Sequence, residues 1–280
     1  MAQVIEPVAK MAAGSLKIRV ERKAFPASAG RPEQVVLRNV AIDIEPRSFV
    51  VITGPSGCGK STLLNIMAGL DNDYEGEIAL GGSDTRLGYI FQSPRLLPWR
   101  TVYENIALAL PDGDPRHGRI DDMLRQVGLE GFSSQYPERL SLGMQRRAAL
   151  ARGFITEPDV LLMDEPFVSL DDPTAQGLRE LLIGLWNRRP TTVIFVTHDR
   201  AESVMLGTRI LRMSGTNATI VQDETVRLRP GSGPGSRRTV STDCVKPICQ
   251  PASLPHSSLP DRKAAPPRSR HLRPAVRPRS

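Results

Sequence analysis

The sequence predicts an α/β domain built on a parallel sheet buried on both faces, and three observations carry that prediction. The runs FVVIT (Phe49 to Thr53), VLLM (Val160 to Met163) and TTVIFVT (Thr191 to Thr197) are apolar without alternation, as strands covered on both sides must be. Between the second and third, Thr174 to Arg188 places Leu178, Leu181, Leu182, Leu185 and Trp186 at i, i+3, i+4, i+7 and i+8, the stripe of a helix packed on a core. A glycine-rich loop leads from the first run straight into a further helical stretch, LLNIMAGL. Strand and helix signals alternate along the body of the chain, with no internal repeat.

The loop after the first strand is GPSGCGKST, Gly54 to Thr62, which fits G-x-x-x-x-G-K-[ST]. A chance match in a chain of average composition is about a 1% event, and the strand–loop–helix context is also correct. In such a loop Gly54, Pro55, Ser56, Gly57, Cys58 and Gly59 turn backbone N–H groups inward around phosphate oxygens. Lys60 supplies positive charge to the β- and γ-phosphates, the Ser61 hydroxyl ligates magnesium, and Thr62 completes the motif. The cofactors this implies are ATP and Mg2+. Cys58 reads either as a small filler or as a reactive thiol beside phosphate, and with no cationic neighbour other than Lys60, filler is favoured.

The second strand runs into MDEP. Asp164 falls at the carboxyl end of a strand expected next to the phosphate loop, where a carboxylate can hold magnesium through water, and Glu165 lies one residue further into the cleft. An acid that positions and polarises the attacking water is what ATP hydrolysis requires. The third strand ends at His198. Three strand ends delivering Lys60, Asp164 with Glu165, and His198 make a candidate site.

The stretch RLSLGMQRRAALAR, Arg139 to Arg152, poses a different question, because Ser141, Leu142 and Gly143 put a small hydroxyl and a glycine where a helix begins. Exposed N–H groups and a hydroxyl at a helix start grip anions. With the phosphate loop and VLLMDEP in place, the chain resembles the ATP-binding subunits of ABC transporters. FQSPRLLPW puts Gln92 where that family has its Q-loop glutamine, SLDD puts Asp171 in the D-loop, and VTHD makes His198 the switch histidine. LSLGM, including Met144, looks like the signature usually written Leu-Ser-Gly-Gly-Gln. Phe25 stands about where the family stacks an aromatic ring on adenine.

That resemblance, over roughly residues 15–227, implies a P-loop NTPase with a RecA-like parallel-sheet core, a small antiparallel β subdomain and a helical signature subdomain at about 93–157. It implies that Ser61, Gln92 and Asp164 hold Mg2+ and that Glu165, His198 and Gln92 serve catalysis. It also implies that Ser141, Leu142, Gly143 and Met144 close on the ATP of a second copy in a head-to-tail homodimer. Leu142 departs from the usual glycine, and Arg47-Ser48 stands where Gly-Glu is common before the first strand, a change expected to affect packing only. SPRLLPWRTVYENIAL, MDEPFVSLD and LW ahead of TTVIFVTHD look like the nitrate, sulfonate and taurine importers. The partners this implies are transmembrane permease subunits and, indirectly, a periplasmic solute-binding protein, with the chain peripheral at the cytoplasmic face of the inner membrane. A non-transport ABC ATPase would be expected to carry a long coiled coil or a second nucleotide domain; a nucleotide-gated regulatory module without turnover is the other alternative.

Composition sets the outer limits. The chain has 280 residues, 40% of them hydrophobic, enough for one sizeable core. No apolar run approaches the roughly 18 residues of a membrane-spanning helix, and the N-terminus lacks a basic segment followed by an apolar one, so no secretory signal is expected. Cys58, Cys244 and Cys249 are too few for a disulfide framework. The net charge of +7 suggests nucleic acid until it is located along the chain. Residues 229–280 hold 11 Lys or Arg against Asp243 and Asp261, a net +9, which leaves the other 228 residues at −2. No nucleic-acid partner is expected. Residues 1–14 read as an N-terminal extension and 228–280 as a disordered, basic Pro/Arg/Ser-rich tail; a reading-frame change in GC-rich DNA and a genuine extension both give that composition.

Overall fold

The computed structural model describes residues 15–27, 32–82, 84–227 and 239–240. In chain order the first elements are β1 (Leu16–Phe25), β2 (Gln34–Ile44), β3 (Phe49–Thr53), α1 (Lys60–Met67), β4 (Glu75–Leu80) and β5 (Leu87–Ile90). Three helices follow, α2 (Val102–Ala107), α3 (Ile120–Gln126) and α4 (Leu142–Ile155). The chain then forms β6 (Val160–Asp164), α5 (Asp172–Arg188), β7 (Thr192–Thr197), α6 (Arg200–Leu206), β8 (Arg209–Met213), β9 (Ile220–Arg227) and β10 (Thr239–Val240). The N-terminal extension and, apart from Thr239 and Val240, the basic tail lie outside the described residues. Thr239 and Val240 pair antiparallel with Arg227 and Val226.

The central sheet has the order β10-β9-β8-β3-β7-β6-β5, parallel from β8 to β5 and antiparallel at β9 and β10. Its strands alternate between two cores, which is why their sequences do not alternate in polarity. Phe49 and Val51, Leu161 and Met163, and Val193 and Phe195 face a core shared with α2, α3, α4 and α5. Val50 and Ile52, Val160 and Leu162, and Ile194 and Val196 face the other, shared with α1 and the second sheet. That second sheet is antiparallel, ordered β2-β1-β4, and Leu16, Ile18 and Val20 alternate inward along β1. All described residues fall in one compact unit.

The helices start where local chemistry favours it. Thr101 and Glu104 form a capping box on α2: the Glu104 N–H donates to Thr101 Oγ1 at 3.2 Å, and the Thr101 N–H donates to the Glu104 carboxylate at 2.7 Å. Asp171 caps α5, with Pro173 in its first turn. Leu178, Leu182 and Leu185 are buried on α5, with Leu181 and Trp186 partly buried against the same core, as the stripe predicts. Arg47 adopts φ 59°, the left-handed region, and its N–H donates to Thr192 Oγ1 at 2.9 Å. The change from Gly-Glu therefore bears on backbone conformation, not on packing alone.

Candidate nucleotide site

β3 ends at Thr53 and the chain turns through the glycine loop into α1, whose first residue is Lys60. Gly59, at φ 104°, needs its missing side chain twice over. Its backbone is left-handed, and a Cβ there would lie 2.6 Å from Val36 Cγ1 on β2. Pro55, Ser56 and Gly57 are exposed at the crest of the loop. Cys58 is buried, and a Cβ on Gly54 would lie 2.9 Å from its sulfur, so the thiol fills space beneath the loop. Lys60 is buried and its ammonium donates to the carbonyls of Gly54 and Pro55, each at 3.0 Å, curling over the cradle it belongs to.

The acids converge on the same point. Asp164 lies at the end of β6, which is separated from β3 by β7 and so is not the strand next to the loop. Helix α1 closes the gap: the Ser61 hydroxyl donates to Asp164 Oδ1 at 3.0 Å. Burial raises the Asp164 pKa, the neighbouring Glu165 carboxylate adds to the rise, and the Ser61 bond, Lys60 and Arg95 oppose it. Glu165 is a non-glycine residue at φ 42°, held by a bond from its N–H to the Val196 carbonyl at 3.0 Å. Such a conformation costs about 1–3 kcal/mol and persists only where its surroundings enforce it. It sets one Glu165 oxygen 3.8 Å from Lys60 Nζ and the other 3.2 Å from His198 Nδ1. Lys60, Ser61, Asp164, Glu165 and His198 are thus joined by direct contacts across β3, α1, β6 and β7.

The remaining candidates stand around this cluster. Gln92 and Asp164 line one cavity of about 480 Å³, with Leu142, which is 40% exposed, on the same wall. Phe25 is 45% exposed at the end of β1 and pairs with Gln34, which shares a cavity of about 330 Å³ with Gly57 and Cys58. Ser141 and Asp171 are helix caps: Ser141 Oγ accepts from the Met144 N–H at 3.3 Å and Asp171 from the Thr174 N–H at 3.1 Å. The two capped ends meet, because a Cβ on Gly143 would lie 2.7 Å from Thr174 Cγ2. A side chain at Gly143 would therefore require Thr174 to shift, whereas Leu142 is 40% exposed on the lining of the cavity.

The donors near the loop suit magnesium. Ser61 Oγ and Asp164 Oδ1 are hard oxygen ligands already 3.0 Å apart, and Gln92 lines a cavity together with Asp164. Among the described residues no group of three or more His, Cys, Asp or Glu could hold a metal by itself. A site with one carboxylate, completed by phosphate oxygens and water, matches the way Mg2+ is held.

Two buried cations that contact the candidate residues carry no signal of their own in the motifs. Arg146 donates to the Gln92 carbonyl and, at 3.0 Å, to the Val168 carbonyl. Buried Lys23 donates to Asp71 Oδ1 at 2.8 Å and to the Asp73 carbonyl at 2.6 Å, and lies 4.9 Å from the Phe25 ring centroid. Arg146 was detectable as a charge on the face that carries Leu150 and Phe154; Lys23 breaks the alternation of β1 without any such sign.

The fold and this cluster define an ATP-hydrolysing P-loop domain, and the comparisons with known proteins give its family. The family model described as ABC transporter matches residues 37–168. The aliphatic sulfonates import ATP-binding protein SsuB of Bacillus licheniformis is 46% identical over 202 residues, 70% of this chain and 78% of that one. SsuB 2 of Burkholderia cenocepacia is 41% identical over 225 residues, 79% and 81% of the two chains. The dimeric ABC transporter cassette MJ0796 superposes with a TM-score of 0.66 at 31% identity, covering 76% of this chain and all of that one. The chain belongs to the ABC transporter family, as an ATP-binding subunit that hydrolyses ATP. The two import ATP-binding proteins among these relatives are named for aliphatic sulfonates.

Proposed function

We propose that this subunit energises an importer for an aliphatic sulfonate or a related small organic anion such as taurine, with nitrate as the inorganic relative of that class. The observation that carries the catalytic reading is the direct chain of contacts from Lys60 through Glu165 to His198. When ATP binds, the Lys60 ammonium exchanges the Gly54 and Pro55 carbonyls for phosphate oxygens, and the loop N–H groups complete the cradle. Glu165 accepts a hydrogen bond from the attacking water and orients it in line with the γ-phosphate. The water oxygen forms the new bond to phosphorus, the bond from phosphorus to the bridging β-phosphate oxygen breaks with its electron pair on ADP, and the water proton passes to Glu165 and from there to the released phosphate or solvent. His198, 3.2 Å from Glu165, fixes the direction of that carboxylate. Ser61, Asp164 and Gln92 would hold Mg2+, which neutralises charge on the phosphates.

Ser141, Leu142, Gly143 and Met144 serve the ATP of a second copy, Asp171 lies at the same interface, and Phe25 stacks on the adenine. Permease subunits receive the motion at the cytoplasmic face of the inner membrane, where the chain is peripheral, and a periplasmic binding protein delivers the solute. Among the described residues no helix is long and apolar enough to cross a membrane. The names of the relatives support the choice of solute. The test is uptake of labelled ethanesulfonate, taurine and nitrate by cells with and without this gene. Loss of sulfonate or taurine uptake on deletion, restored by the wild-type gene and not by Lys60→Ala, is expected; unchanged uptake of all three would overturn the reading.

A further inference from the structure

Arg146 is an expensive residue to place where it is. It is only 6% exposed, it lies on helix α4 five residues after Ser141, and burial works against its charge. No carboxylate is paired with it among the described residues. Its partners are two backbone carbonyls, those of Gln92 and Val168, and its Nε–H is buried with no partner. A buried guanidinium satisfied only by neutral groups, with a donor left over, adds nothing that an apolar side chain would not add more cheaply to stability.

The two carbonyls are informative. Gln92 follows β5 and shares a cavity wall with Asp164, and Val168 lies three residues beyond Glu165 and three before Asp171. Arg152, further along α4, donates to the carbonyls of Pro94 at 2.7 Å and Arg95 at 2.8 Å. Helix α4 therefore grips the segment 92–95 at both ends, and through Arg146 it also hydrogen-bonds the loop that leaves Glu165.

We propose that Arg146 is a positioning residue for hydrolysis, a clasp that makes Gln92, the loop after Glu165 and the Ser141 end of α4 move as one unit. The inference rests on the roles given above to Gln92 and Glu165. Arg146 lines the same cavity as Gln92 and Asp164 and acts through the backbone of residues given roles in the reaction. A shift of Gln92 on nucleotide binding is carried by the guanidinium to α4, and the same guanidinium holds the direction from which Glu165 enters the site.

The test uses the full chain and separates binding from turnover. ATP affinity is measured with a fluorescent ATP analogue and kcat by phosphate release, for Arg146→Met, Arg146→Lys, Gln92→Ala and the double variant Arg146→Met with Gln92→Ala. A misplacement of reacting groups by about 1 Å costs on the order of 100-fold, so Arg146→Met is expected to lower kcat by about 10- to 100-fold while nucleotide affinity stays within about threefold. Arg146→Lys, which keeps the charge but loses the planar fork and its reach, is expected to fall between, and it carries the same test if the Met variant does not fold. In the Gln92→Ala background the further loss from Arg146→Met is expected to shrink to about threefold or less, because the two act on one step. Parallel losses of affinity and kcat, an unchanged kcat, or fully additive effects would each overturn the proposal. If Gln92→Ala itself leaves kcat unchanged, it is the role of Gln92 that fails.

Discussion

Replacing Ser61 by Ala removes one oxygen from the proposed magnesium site and one hydrogen bond from Asp164. The bond is 3.0 Å long and ends on a carboxylate with only 8% residue exposure. Hydrogen bonds to charged groups contribute about 1.5–3 kcal/mol, but here the loss is partly offset, since burial already favours the protonated carboxyl that needs no donor. A net cost of about 1 kcal/mol follows, which lowers Tm by about 2–4 °C in a domain of this size. The effect on ligand binding is larger and conditional. Loss of a ligand oxygen is expected to weaken ATP binding by about 10- to 100-fold in magnesium, or about 1.4–2.8 kcal/mol. In EDTA the same variant is expected to bind ATP within about threefold of wild type, because the loop N–H groups and Lys60 remain. Fluorescence titration with and without magnesium reads the difference directly. Equal losses in both buffers would refute a metal role for Ser61 and make its bond to Asp164 a matter of loop structure.

Three further outcomes follow from single positions. Asp164 has its carboxyl pKa raised in the folded state, so neutral Asp164 is favoured below that pKa and the ionised form costs stability above it; the advantage of magnesium in ATP binding is therefore expected to shrink as pH falls through that raised value, and a magnesium effect that grows with acidity would contradict the assignment. Leu142→Gly removes an exposed side chain from the cavity wall beside Gln92 and is expected to raise permease-stimulated turnover or leave it unchanged; a large loss would mean that Leu142 packs productively. Arg47→Gly relieves a left-handed arginine, worth about 1–2 kcal/mol, against an entropic cost of about 0.5–1 kcal/mol for the glycine. A gain of about 0.5–1 kcal/mol should appear as a Tm higher by about 1–4 °C in calorimetry, and a lower Tm would show that the Arg47 side chain makes a compensating contact.

Much of this was legible because the physics is local. A strand buried on both faces must be apolar at every position, so β3, β6 and β7 declare themselves, and the stripe of α5 appears where its buried leucines are. The glycine loop is equally plain, since Gly59 occupies a conformation and a space that no other residue fits. What remained hidden depends on pairing between distant segments. Nothing in the sequence near Asp164 says that β7 inserts between β3 and β6, and the contact that restores the site is made by Ser61 from α1. Glu165 and Arg47 in left-handed conformations were also unreadable, because local propensity argues against both and only the surrounding fold imposes them. Arg146 is an intermediate case: its charge on an apolar helix face was visible, but its carbonyl partners lie 54 and 22 residues away.

The central claim is that ATP is hydrolysed by Glu165 in a site completed by a second copy of the chain. Glu165→Gln keeps the shape of the side chain and removes its charge and basicity, which is expected to slow the chemical step by a factor of about 10² to 10⁴ while leaving Lys60 and Ser61 to bind nucleotide. With ATP and magnesium the variant should accumulate in the closed state and elute as a dimer, and should return to monomer when ATP is withdrawn. Lys60→Ala, which loses the phosphate contact, should stay monomeric under both conditions. Size-exclusion chromatography with light scattering, run beside a phosphate-release assay, makes the measurement: an ATP-dependent dimer with hydrolysis blocked is the predicted result, and a Glu165→Gln protein that remains monomeric in ATP or hydrolyses it at the wild-type rate would contradict the account.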